Sequence, residues 1–394
     1  MRVREARKRR GLTQEELARQ SGVSVSLIAK LERGEYGGMR LETVHKLAVV
    51  LRVATSALMS APDAPDAPGR LVAPVRGDWE PVRRALGGDF AGAAEDAPTV
   101  GGLRDAVARS VAALLDSRYA ELRVVLPSLL RDADALVGVS ADGAGARARQ
   151  VRSDVRRLAA YVLGEAWQFD AAAYAIDLAI SDAGDELTAL AAVDGKCWLL
   201  LRQGRLAESG GLAARWADDA EPRRMSKATP DELAAWGLFL VRVSNVAVRD
   251  NRPDDAREAL RLAKMAASGV GRDIVPYFSP AQVFGPGTIA MIQAEHAMIQ
   301  GRPDVTLAIG SQMAGRGFPV QPNYLRHRLD VAHAHAVTRQ HDRAVGVLRE
   351  LRAGAPEWLG QQRYAHDILS KVITRRRTLT DEMRGMADFL SLPL

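Results

Sequence analysis

Cysteine is almost missing from this chain. Cys197 is the only one in 394 residues, which excludes an internal disulfide framework and a cysteine-built zinc site. Its neighbours Trp198, Leu199, Leu200 and Leu201 predict a buried, inert thiol. No apolar run approaches the ~20 residues of a membrane helix, and the opening MRVREARKRR is too charged for the apolar stretch of a signal peptide. Catalytic signatures are lacking too: there is no Walker-type glycine loop, no nucleophile elbow and no histidine pair at zinc spacing. His333 and His335 stand two apart and diverge on a helix, while Asp330 and His333 share a face, which predicts a surface hydrogen bond rather than a catalytic pair. The expectation is a soluble, cytoplasmic protein without membrane attachment, enzymatic activity, metal or cofactor.

What is present is ordinary globular composition, 47% hydrophobic and 26% charged, in a chain too long for one compact core. The net charge of +6 is concentrated. Residues 1–60 carry 12 Lys or Arg against 6 Glu and no Asp, and the remainder balances at 42 of each sign. A basic module on a neutral body predicts a polyanionic partner for that module alone. Residues 61–68 read APDAPDAP, whose regular prolines predict a semi-rigid spacer. The expected division is therefore 1–60, a linker over 61–77, and 78–394.

The long region predicts an all-α structure, because apolar residues recur at three- and four-residue spacing and no strand alternation is visible. From about residue 149 the helices read as pairs joined by polar turns: WQFDAAAY (167–174), RQGRLAES (202–209), RDNRPDDA (249–256), IQGRPDVT (299–306) and RQHDRAVG (339–346). Spacings of this kind resemble tetratricopeptide units, implying an α-solenoid of about five pairs and a capping helix near 361–375.

The sharpest motif is LTQEELARQSGVSVSLIAKLERG, Leu12 to Gly34. Thr13 with Glu16 predicts a capping box, Leu12 with Leu17 its hydrophobic staple, and Ser24 a second helix start after a turn at Gly22. This is a helix-turn-helix pattern, and TQEELA, SGVS, Ile28, Leu31 and LERG resemble the Xre/Cro family of DNA-binding domains. The resemblance implies a five-helix, lambda-repressor-like module reading double-stranded operator DNA as a homodimer. On it, Val25, Ser26 and Lys30 face the bases, while Gln14, Ser24 and Arg33 contact phosphates. Arg7 and Glu32 match positions that form an ion pair locking the first helix to the recognition helix. His45 reads as a partly buried residue of the fourth helix.

A helix-turn-helix followed by helical repeats resembles, in architecture, the signal-responsive regulators of Gram-positive bacteria, and the FGP segment at 284–286 resembles Xre-type regulators of high-GC members. That implies a transcriptional regulator whose repeats sense a peptide or small molecule. The candidates on the inner face are Trp236, Arg242, Asn245 and Gln293. Tyr277, Phe278 and Phe284, on the proline-rich stretch 268–287, form a lid or else fill a packing gap. The competing reading is a regulator or antitoxin-like adaptor whose repeats only dimerise or hold a partner protein.

Overall fold

The structure is a computed structural model describing residues 3–35, 40–59, 77–90, 97–139, 142–314 and 322–393. The proline-rich spacer falls outside the described residues, apart from Gly77. Every regular element among the described residues is helical; one antiparallel bridge joins Ile274 and Phe284. None of these helices is long and apolar enough to cross a membrane.

Five short helices open the chain: α1 (Val3–Arg9), α2 (Gln14–Ser21), α3 (Val25–Arg33), α4 (Leu41–Leu51) and α5 (Thr55–Leu58). Leu17, Ile28, Leu47 and Leu51 are fully buried between them, with Val3, Ala6 and Val44. In α1 and α4 these apolar residues recur about one helical turn apart, so those short helices are held by a buried stripe rather than by propensity.

Next come α6 (Glu80–Leu86) and a run of helix pairs. The pairs are α7 (Val100–Leu115) with α8 (Tyr119–Val139), α9 (Asp142–Glu165) with α10 (Phe169–Asp182), and α11 (Glu186–Arg202) with α12 (Leu206–Asp219). They continue with α13 (Pro230–Arg249) and α14 (Pro253–Val270), α15 (Pro286–Ile299) and α16 (Pro303–Met313), and α17 (Pro322–Val337) and α18 (His341–Gly354). Among the described residues there are six pairs, one more than the sequence suggests, because α7 and α8 belong to the same series. One turn geometry joins all six. Its central residue is left-handed: Ser117, Trp167, Gly204, Asn251, Gly301 and Arg339 have φ between 56° and 76°. The next amide then donates back into the preceding helix, as in Arg205 N to Leu200 O at 2.9 Å and Arg118 N to Ala113 O at 2.8 Å. This bond satisfies a carbonyl that the ending helix leaves open.

The first helices of successive pairs stack side by side and line an inner surface. Instead of stopping at one capping helix, the series ends in α19 (Pro356–Gln361), α20 (Arg363–Thr374) and α21 (Asp381–Leu390). These return to the beginning. The Trp167 indole donates to Gln361 O at 3.2 Å, Gln362 Nε2 to Glu165 at 3.0 Å, and Ala120 N to Glu357 at 2.7 Å. One continuous apolar core runs across this seam, including Leu126, Leu163, Leu329 and Trp358. The α-solenoid expected from sequence is present, and its end closes back on its beginning to make a ring.

Candidate nucleic-acid interface and adjoining cavities

Thr13 caps α2 and forms the full box: its Oγ1 accepts from Glu16 N at 3.1 Å, and its own amide donates to Glu16 Oε2 at 2.8 Å. Gly22, at φ 68°, ends α2 in a left-handed conformation that a side chain would oppose. Ser24 then starts α3 by accepting from Leu27 N at 3.3 Å. Ile28 and Leu17 are buried beneath, so the opposite face of α3 points outward. Val25, Ser26 and Lys30 lie on that exposed face, with Ser24 at its start and Arg33 at its end.

Arg7 joins α1 to α3. Its Nε lies 2.6 Å from Glu32 Oε1, its Nη2 donates to Glu32 Oε2 at 2.9 Å and its Nη1 to Leu12 O at 2.7 Å. This fork-on-fork geometry holds the Glu32 carboxyl below its ordinary range, against the burial that would raise it. Gln14 Nε2 also donates to Glu32, at 2.8 Å. The side-chain amide assigned to a phosphate is therefore tied within the module, although the Gln14 backbone still stands in the first turn of α2. Arg33 is likewise engaged, by Glu35 at 2.5 and 2.9 Å.

The module docks on the ring through α4 and α5, away from the exposed face of α3. His45 Nδ1 lies 2.9 Å from Arg249 O, and because a carbonyl only accepts, that nitrogen carries the proton. Thr55 N and Ser56 N donate to Asp250, and Arg40 pairs with Asp367 of α20 at 3.1 Å. Burial in this junction lowers the basicity of His45.

Two neighbouring cavities lie within the ring. A central one of about 360 Å³ is lined by the inner helices and includes Arg242 and Asn245. A second, of about 510 Å³, lies between α7, α9 and α11 beneath residues 277–282, which include Tyr277 and Phe278. Four of the seven expected ligand residues thus reach a cavity. The others correct the sequence reading. Trp236 and Phe284 are core residues, buried in one apolar cluster with Phe239, and Phe284 packs against Gly237. Gln293 lines neither cavity. Arg242 and Asn245 are also bonded internally, Arg242 to Asp194 at 2.7 and 2.8 Å and Asn245 Oδ1 to His296 Nε2 at 3.0 Å. Cys197 is buried, its thiol pushed up to about 12 by desolvation. Asp330 and His333 meet through the Tyr364 hydroxyl, at 3.0 and 2.8 Å, inside the protein rather than on its surface.

Residues 3–58 match the family model described as helix-turn-helix, HTH_3. The N-terminal module is a helix-turn-helix domain of the Xre/Cro type. An uncharacterized HTH-type transcriptional regulator of Bacillus subtilis (strain 168), RghRB, is 44% identical over 59 residues. That match spans 15% of this chain and 42% of the relative, so the chain covers less than half of the curated relative's length. No solved structure matches the chain.

Proposed function

We propose that this protein is a non-enzymatic, sequence-specific transcriptional regulator of the cytoplasm. It binds operator DNA as a homodimer through the helix-turn-helix domain and senses a diffusible signal in its tetratricopeptide-like ring. The observation that carries this reading is the position of Arg249. Its carbonyl accepts from His45 of the DNA-binding module, while its side chain lines the central cavity and pairs with Glu295 at 2.5 Å. Ligand bound against Arg249 changes the free energy of docking, and this shifts the module only if ligand prefers one arrangement.

The docked module leaves α3 uncovered, so docking sets the orientation of the reading helix without hiding it. Lys30 and Ser26 carry polar base contacts in this reading, and Val25 an apolar contact with a thymine methyl. Ser24, Arg33 and the backbone of Gln14 contact phosphates. Paired half-sites lie about 34 Å apart or a multiple of that spacing.

The test is operator selection with the full chain, followed by titrations at several salt concentrations. Lys30→Ala relaxes discrimination by ~1–3 kcal/mol while non-specific binding persists. Unchanged affinity and selectivity in Lys30→Ala and Ser26→Ala would falsify the assignment of α3.

A further inference from the structure

The two cavities differ in chemistry. The larger is walled chiefly by apolar side chains, among them Val107, Val111, Leu158, Ile176 and Leu199. Residues 277–282 roof it as a strap held at three points. Arg157 Nη1 donates to Phe278 O at 2.8 Å, Tyr277 N to Asp231 at 3.1 Å, and Gln282 Nε2 to Asp194 at 2.6 Å.

The central cavity is lined by five arginines against three carboxylates. The carboxylates are already engaged: Glu165 by Arg202 and Gln362, Glu295 by Arg249, and Asp367 by Arg40. The cations are less fully spent. Arg326 lies over the Tyr364 ring at 4.3 Å, and its closest carboxylates, Glu295 and Asp330, are both 3.9 Å away, beyond hydrogen-bond reach. Its Nε is shut off from solvent and has no hydrogen-bond partner, yet 41% of its side chain is accessible, because the rest faces the cavity. Arg202 commits only Nη1, to Glu165 at 2.8 Å, and its guanidinium covers Trp198 at 5.1 Å. Trp198 stacks on Tyr161 at 4.8 Å, and both rings, like Gln282, line both cavities.

We propose that the ring binds a small amphipathic organic anion. Its apolar body fills the chamber beneath the strap, and its anionic group is held in the central cavity by Arg326 and Arg202. Volumes of about 510 and 360 Å³ suit one small molecule rather than a long extended peptide. Unspent guanidinium donors select an anion over a cation or a neutral ligand, because charge-assisted bonds reward the ionised acceptor. The proposal rests on the sensor reading above and supplies the class of its ligand.

The experiment titrates the full chain with two fluorescent probes, anilinonaphthalene sulfonate (anionic) and N-phenyl-1-naphthylamine (neutral). The sulfonate binds one per chain and is displaced by dodecanoate but not by dodecyltrimethylammonium. Arg326→Gln and Arg202→Gln each weaken the sulfonate roughly tenfold or more and leave the neutral probe unchanged. Val107→Trp, at a partly exposed wall of the apolar chamber, weakens both probes. A sulfonate affinity unchanged in all three variants, with native melting curves, overturns the site. So does tighter binding of the neutral probe. Operator titrations with and without dodecanoate separate the two readings. Binding without any change in operator affinity supports the site and removes its sensing role. Operator affinity that responds to a cell extract, in a protein that binds neither probe, supports sensing and overturns the site.

Discussion

The side-chain amide of Asn251 donates to the carbonyl oxygen of Val53 at 3.0 Å. Asn251 is also the left-handed residue, φ 56°, of the turn between α13 and α14, and it reaches Ala48 O as well, at 3.3 Å. One residue thus shapes a ring turn and holds the DNA-binding module. Asn251→Gly keeps the turn and removes the docking bonds, worth ~1 kcal/mol each. We expect faster hydrogen exchange at the amides of Thr55 and Ser56, which donate to Asp250 across the junction, with ring amides unchanged. Unaltered exchange at both would show that Asn251 does not secure the module.

Arg7→Ala tests the lock between α1 and α3. Side-chain exposures of 12% and 5% for Arg7 and Glu32 place the pair in the regime where stranding one charge costs about 3 kcal/mol. The unfolding midpoint of the helix-turn-helix domain falls, and operator binding weakens only in proportion to unfolding. Wild-type stability with lost binding would make Arg7 a phosphate contact instead.

Gly237→Ala strikes the core beneath the strap. A Cβ at Gly237 would lie 2.0 Å from Phe284 Cζ, and the buried ring has nowhere to retreat. We expect roughly 1–3 kcal/mol of destabilisation and faster proteolysis within 271–285. A melting temperature equal to the wild type's would mean that the ring relocates freely.

Acid should weaken the fold well before carboxylates titrate. Burial lowers His296, His327 and His333 to about 4 each, against ~6.5 when unfolded. Between those limits the unfolded chain holds three protons that the fold refuses. Asp330, raised by burial, opposes them in part, while His45, His335 and His341, also lowered by burial, add to them. On balance unfolding takes up protons, so stability is lost as pH falls from about 6.5 to 4. Calorimetric melting across that range checks it; a level melting temperature would contradict the burial of these imidazoles.

Much of this fold is legible in the sequence, and the misses have physical causes. The turns at 204, 251 and 301 announce themselves because Gly or Asn occupies the left-handed position. The turn between α7 and α8, with Ser117 in the same position, lies ahead of residue 149, where the run of polar turns becomes readable, so the first pair goes uncounted. The capping box at Thr13 is readable from its three-residue spacing, and the Arg7–Glu32 pair from the resemblance to the Xre/Cro family. Trp236 and Phe284 mislead because an aromatic in the core and one lining a cavity look alike in sequence, and both are buried in one apolar cluster. Arg202 and Arg326 acquire meaning only when helices remote in sequence enclose one space.

A linear stack of repeats frays from its ends, because each terminal unit has a neighbour on one side only. Here the seam joining Trp167 to Gln361 and Ala120 to Glu357 leaves no terminal unit to peel away. Unzipping must begin with rupture of that seam, so the repeats should melt as one cooperative body.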